Sequence, residues 1–357
     1  MEDSRHSIIY IYPAPSTFIK KDIDFLSKNY AVKVPKHHWS NKWSTPINFF
    51  KQFLFLCRHL FHSKAVIVMF GGYWSFLPSL FGRLFKTPVF IILGGTDCVS
   101  FPSLGYGSLR KPVLRTFIKW SYQLCTKLIP VHESLVLSEN KYFLKVAEQH
   151  QGYKHHFPGV RTDHEVIHNG FDPLFSLEGP HKKERNSFIT VASINDMTRF
   201  KLKGIDIIFE LAKVFKECSF TIIGMSKDVE RQLPRIPKNV SMHPFLSQKV
   251  FKTYLYRSEF YLQLSISEGF PNALGEAMLC ECIPIGTSVG AIPDIIDDTG
   301  FVITERDKDL TLALFEKILE MDDATRSHLR KKSRQRIIEE FNISERARRF
   351  EQLIDSH

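Results

Sequence analysis

The run Ser265-Ile266-Ser267-Glu268-Gly269-Phe270-Pro271-Asn272-Ala273-Leu274-Gly275-Glu276-Ala277-Met278 places two carboxylates eight positions apart. Carboxylates accept hydrogen bonds from sugar hydroxyls, and free backbone amides at a helix start hold phosphate oxygens. A ligand bearing both groups, such as a nucleotide sugar, suits that pair. The spacing does this only if the flanking elements are right. Upstream, Phe260-Tyr261-Leu262-Gln263-Leu264 is a short apolar run rich in strand formers and reads as a buried strand. Downstream, Pro271 suits a first helical turn, Asn272 a cap, and Ala273 to Leu279 a helix. Glu268 then falls in the loop at a strand's carboxyl end, where open α/β sheets bind ligands, with Glu276 about one turn into the helix. The amides of Gly269 to Ala273 lie between them as an anion-ready helix start. A solvated loop followed by a helix carrying two glutamates has the same spacing.

The literal string goes further than the spacing. Glu-Gly-Phe-Pro-Asn from Glu268 is followed by Glu276-Ala277-Met278, then Pro284-Ile285-Gly286-Thr287, then Gly290-Ala291-Ile292-Pro293-Asp294-Ile295-Ile296. Over about thirty residues this resembles the signature of retaining glycosyltransferases of family 4, enzymes of the GT-B type. The resemblance implies that Glu268 contacts the donor sugar and Glu276 the ribose of the nucleotide. It also implies that Gly269, Phe270, Pro271 and Asn272 line the donor. Val166-Ile167-His168-Asn169-Gly170-Phe171-Asp172 resembles the link between the family's two domains. Thr190-Val191-Ala192-Ser193, Lys203-Gly204-Ile205-Asp206 and Phe220-Thr221-Ile222-Ile223-Gly224 resemble the start of its donor domain. The likeness covers about residues 160–305 and is weak before them.

One departure concerns the leaving group. The family pattern has an Arg where this chain has Ser193, and the loop carries Arg199, Lys201 and Lys203 instead. A departing diphosphate needs its growing charge neutralised by cations or a metal. Lys203 matches the family's phosphate-binding Lys. Arg199 is the candidate for the missing Arg, since a guanidinium grips phosphate bidentately. No metal or other cofactor is expected. The cysteines at 57, 98, 125, 218, 280 and 282 lack paired ligand spacing. Asp22-Ile23-Asp24 lies in a helical pattern and is expected to face solvent.

The charge of the chain is lopsided. Residues 1–172 hold 21 Lys and Arg against 11 Asp and Glu, whereas residues 173–357 hold 27 of each. An electropositive half implies an anionic partner, and without a recognisable nucleic-acid module an acidic acceptor or a membrane surface fits better. Asn48 to Phe61 is apolar nearly all round, with Lys51, Arg58 and His59 at intervals. Ser108 to Ile129 interleaves Arg110, Lys111, Arg115, Lys119 and Lys127 with Phe117 and Trp120. Both patterns suit a membrane interface and equally a core helix with a basic outer side. No window of about 18 uncharged apolar residues occurs, and the opening residues lack signal-peptide organisation. A cytoplasmic protein is expected, peripheral on the inner face of the plasma membrane.

Strands are expected at Ser7–Tyr12, Ala65–Phe70, Val89–Leu93 and Lys127–Val131, followed by loops that include Gly71-Gly72 and Gly94-Gly95-Thr96-Asp97. Asp97 stands where some relatives carry a catalytic His or Asp. It is either the group that polarises an acceptor hydroxyl or an Asp satisfying a tight turn. The expected fold is α/β of GT-B type, two Rossmann-like doubly wound domains facing each other across a cleft. Residues 1–168 would bind the acceptor and 169–341 the donor, with a last helix at about 342–357 packing back on the first domain. The expected reaction is metal-free, retaining transfer of a sugar from a nucleotide-diphosphate sugar to a glycan or lipid-linked acceptor. Nucleotide-sugar epimerisation, and binding without catalysis, stay open as alternatives.

Overall fold

A computed structural model describes residues 6–36, 39, 42–142, 146–175 and 182–357; residues 1–5, read above for a leader pattern, lie outside it. The chain forms two compact units. The first contains the residues up to Ser138, His150–Asn169 and Ser344–His357; the second contains Glu139–Gln149 and Gly170–Ile343. The short excursion Glu139–Gln149 has no sequence signature. Asn140 fastens it to the second unit by donating its side-chain amide to the Ile266 carbonyl at 2.7 Å.

In the first unit, β1 (Ser7–Ile11), β2 (Ala31–Lys33), β3 (Ser63–Met69), β4 (Val89–Leu93) and β5 (Lys127–Pro130) make one parallel sheet. Their order is β2-β1-β3-β4-β5. The β3 and β4 runs are aliphatic without alternation, as strands covered on both faces require. The chain crosses one way from β1 to β2 and the other way from β2 onward. Right-handed crossovers therefore put α1 (Thr17–Leu26) on one face and α2 (Thr45–His59), α3 (Tyr73–Phe85) and α4 (Pro112–Leu124) on the other. The last helix, Ile343–Asp355, joins α1, with the Phe350 ring 6.1 Å from that of Phe25. Asp22 corrects the sequence reading. It lies in α1 but is buried, gripped by the Arg346 guanidinium through two 2.8 Å bonds and by the Tyr10 hydroxyl at 2.9 Å. Asp24 alone of that pair faces solvent.

In the second unit, β6 (Glu184–Ile194), β7 (Ser219–Met225), β8 (Val240–His243), β9 (Ser258–Gln263), β10 (Ile283–Thr287) and β11 (Phe301–Ile303) form a parallel sheet. Its order is β8-β7-β6-β9-β10-β11. The winding runs outward from β6 in one direction and from β9 in the other. The reversal between these two neighbours is the topological switch point at which such sheets bind ligands. Helices α5 (Met197–Leu202) and α6 (Ile205–Val214) follow β6, and α7 (Asn272–Leu279) follows β9. Under the sheet, Arg326 is buried against Glu259 at 2.7 Å and also donates to the Leu319 carbonyl at 2.7 Å.

Candidate functional site

The residues that leave β6 and β9 meet at the switch point. After β6, α5 ends in Lys203 and then Gly204, whose φ of +69° is one that glycine alone adopts freely. A Cβ at Gly204 would lie 2.0 Å from the Leu264 carbonyl oxygen, so the glycine lets this turn close on the end of β9. The Ile266 amide ties the same two segments by donating to the Leu202 carbonyl at 2.8 Å. A second glycine works from the far side. Gly290 has φ +58°, and a Cβ there would lie 2.1 Å from the Glu268 carbonyl oxygen. Backbone packing thus presents Lys203 directly to Glu268, and the two side chains form a half-buried ion pair through Nζ and Oε1.

Glu268 Oε1 has two further donors, Ser265 Oγ at 2.8 Å and Gln263 Nε2 at 3.0 Å. Gln263 also donates to Ser265 Oγ at 2.9 Å and accepts from the Tyr261 hydroxyl at 3.3 Å. Residues 261 and 263 share one side of β9, and Ser265 follows just past its end, which makes this chain of donors possible. One carboxylate oxygen is therefore anchored three times. Burial pushes the Tyr261 hydroxyl well above its usual range, and the charges of Glu268 and Glu276 raise it further. The same hydroxyl thus feels the charge of both carboxylates. Gln263 and Ser265 were not singled out from sequence. The available signal was polarity inside a buried strand, since such groups must find partners.

The remaining donor candidates divide. Asn272 begins α7 as its first helical residue, with Pro271 in the capping position and no side-chain cap, so Asn272 is not the cap expected from sequence. Gly269 is buried, and its carbonyl accepts from the Ala291 amide at 3.1 Å. Phe270 is buried against the rings of Phe171 and Phe341 at 6.2 and 5.5 Å, so its side chain serves the core. Arg199 is half-exposed, and its Nε lies 3.9 Å from Asp196, the residue whose carboxylate caps α5. It is absent from the side chains bonded to Glu268 among the described residues.

Asp97, in the first unit, has a different setting from that required of a proton acceptor. It is fully buried. Its carboxylate takes the Gly71 amide at 2.9 Å, the Gly95 amide at 3.1 Å, the Gly94 amide at 3.3 Å and the Tyr122 hydroxyl at 3.0 Å. Burial raises its pKa, and these donors pull it back. The turn-satisfying alternative describes it: the carboxylate pins the loop after β3 to the loop after β4 and has no exposed lone pair for an incoming hydroxyl.

The chain is similar to known proteins. Residues 178–336 match the family described as glycosyl transferases group 1. One of the subunits of human phosphatidylinositol N-acetylglucosaminyltransferase is 26% identical over 170 residues, which are 45% of this chain and 34% of that protein. The match thus spans about a third of the curated relative's length. Among solved structures, sucrose-phosphate synthase from Thermosynechococcus elongatus superposes with a TM-score of 0.72 at 13% identity, covering 98% of each chain. Anabaena HepE in complex with UDP does so with a TM-score of 0.72 at 11% identity, over 98% of this chain and all of that one. HepE has also been solved with UDP-glucose, at a TM-score of 0.69, 12% identity, and coverage of 99% of this chain and 100% of the other. The chain therefore has the GT-B fold, and its residues 178–336 are similar to the glycosyl transferases group 1 family.

Proposed function

We propose that this chain transfers a sugar from a nucleotide-diphosphate sugar to a glycan or lipid-linked acceptor, with retention of configuration and without a metal, in contact with an anionic membrane. The observation that carries the reading is the pairing of Lys203 with Glu268 at the switch point beside the start of α7. The UDP and UDP-glucose bound by HepE support the donor class.

In this reading Glu268 accepts from a donor-sugar hydroxyl through the oxygen that is not triply anchored, and Glu276 accepts from the ribose. Lys203 neutralises Glu268 until a phosphate competes for its ammonium. The bond from the anomeric carbon to the diphosphate oxygen breaks, and Lys203 with the amides of α7 takes up the developing charge. The acceptor oxygen attacks the same face of an oxocarbenium-like centre, and its proton passes to the departing diphosphate. Positioning supplies most of the acceleration.

Lys203→Ala is then expected to lower turnover far more than Lys201→Ala. Arg199→Ala should fall between them, because Arg199 must first leave Asp196 to reach a phosphate. Steady-state rates of the three variants check this; equal losses would remove the charge-stabilising role from Lys203. The reading as a whole is tested with a panel of nucleotide sugars. A donor should raise the melting temperature by mass action and slowly release nucleoside diphosphate without any acceptor. Transfer should persist in excess EDTA. Loss on chelation with recovery in Mg²⁺ or Mn²⁺ would overturn the metal-free step, and a panel without any stabilising donor would overturn the reading itself.

A further inference from the structure

The acids of the first unit are unevenly spread along its sequence. Residues 25–132 contain 14 Lys and Arg and one acidic residue, Asp97, which is buried under the loops. This stretch supplies α2, α3 and α4, the layer on one face of the sheet. The acids of the other face, among them Asp24, Glu345 and Asp355, sit on α1 and the last helix.

The same acid-free layer leaves large apolar side chains in water. Ile47, Phe50 and Leu54 follow one another at helical spacing on the outer side of α2, where Phe50 is 63% exposed. Leu84 and Phe85 end α3, and Trp120 projects from α4. Ring contacts join part of this surface. Phe61 touches Phe85 with ring centres 4.9 Å apart, Phe85 meets Phe81 at 5.6 Å, and Phe81 meets Phe53 at 5.6 Å. Across the layer, Trp120 packs on Phe76 at 5.7 Å. Exposed cations stand on the same helices: Lys51 and Arg58 on α2, Arg83 and Lys86 at the end of α3, and Lys119 on α4. Two cations counted from sequence are otherwise engaged. Arg115 donates to the His156 carbonyl at 3.0 Å, and Lys127 pairs with Glu165 at 3.4 Å.

We propose that the outer face of α2, α3 and α4 is a docking surface for an anionic lipid bilayer. The apolar side chains seat in the interface and the surrounding Lys and Arg meet headgroup phosphates. Exposed contiguous apolar surface marks an interaction site, and the absence of acids fixes the sign of its partner. A second copy fails that criterion, since a self-complementary contact would set cations against cations. No described helix is long and apolar enough to cross a membrane, so the contact is peripheral. The inference names the surface behind the membrane part of the reading above and requires nothing of its sugar chemistry.

Co-sedimentation with vesicles tests it. The chain should bind phosphatidylcholine vesicles that contain about one phosphatidylglycerol in three, release as salt rises, and ignore phosphatidylcholine alone. Lys51→Glu with Lys119→Glu should weaken partition at least about tenfold. Phe50→Ser with Leu54→Ser should weaken it too, and brominated acyl chains should quench tryptophan emission in the native chain, since Trp120 reaches the interface. Neither pair touches the donor site, so donor-induced thermal stabilisation should be unchanged, which also verifies folding; the Leu84→Ser, Phe85→Ser pair replaces either one that misfolds. Failure to sediment at low salt, or sedimentation indifferent to both pairs, would overturn the proposal. So would binding to polyglutamate without vesicle binding, or self-association that these substitutions abolish.

Discussion

Glu268→Gln should fold normally and lose at least about tenfold in turnover, because a displaced reacting centre forfeits the orientation on which transfer depends. The side chains are isosteric, so the Ser265 and Gln263 contacts to Oε1 can persist. What disappears is the charge that Lys203 pairs with and that, in the proposed reaction, orients a sugar hydroxyl. The loss should appear in kcat more than in KM if the contact strengthens as the glycosidic bond breaks. Rates equal to those of the unmodified enzyme, in a variant with an unchanged melting curve, would remove Glu268 from the chemistry.

The largest loss of stability is expected at Asp22, the carboxylate expected from sequence to face solvent and found buried. Arg346 is buried, and beyond its fork on Asp22 it donates to the carbonyls of Ile167 and His168 at 3.1 and 3.0 Å. Arg346→Met strands a buried carboxylate, a change that costs about 3–5 kcal/mol in comparable pairs. Asp22→Asn added to Arg346→Met should recover part of that, because the orphaned charge is gone. All four tryptophans, at 39, 43, 74 and 120, belong to the first unit, so denaturation followed by their emission isolates it from the second. An unshifted midpoint for Arg346→Met would show that the pair contributes nothing net.

The strands that were legible are those with an aliphatic run. Ile8 to Ile11, Ala65 to Met69 and Val89 to Leu93 are all buried on both faces, and such runs announce themselves without knowledge of their neighbours. β2 was missed because Ala31–Lys33 is three half-buried residues at a sheet edge, too short to show a period. In the site, Glu268 was readable from its literal string. Its anchoring by Gln263 and Ser265 depends on which side of β9 they face, and the string does not state that. Asp22 and Asp97 share a different difficulty. Burial of an acid depends on donors far away in sequence: Arg346 for one, Gly71 and Tyr122 for the other. A reading confined to local windows sees a solvated helix pair and a loop acid.

The split first unit has a temporal consequence. Asp22 and Arg346 are 324 positions apart. At roughly 5–20 residues per second of synthesis, the cation arrives about a quarter of a minute to a minute after the anion. During that interval the entire second unit, residues 139–149 and 170–343, is translated. The later-made unit can therefore complete its core before the earlier one. The nascent first unit meanwhile waits with an uncompensated carboxylate and with Phe25 lacking the ring of Phe350. Any chaperone that attends this chain on the ribosome should engage its amino-terminal half and let go only when the last helix docks.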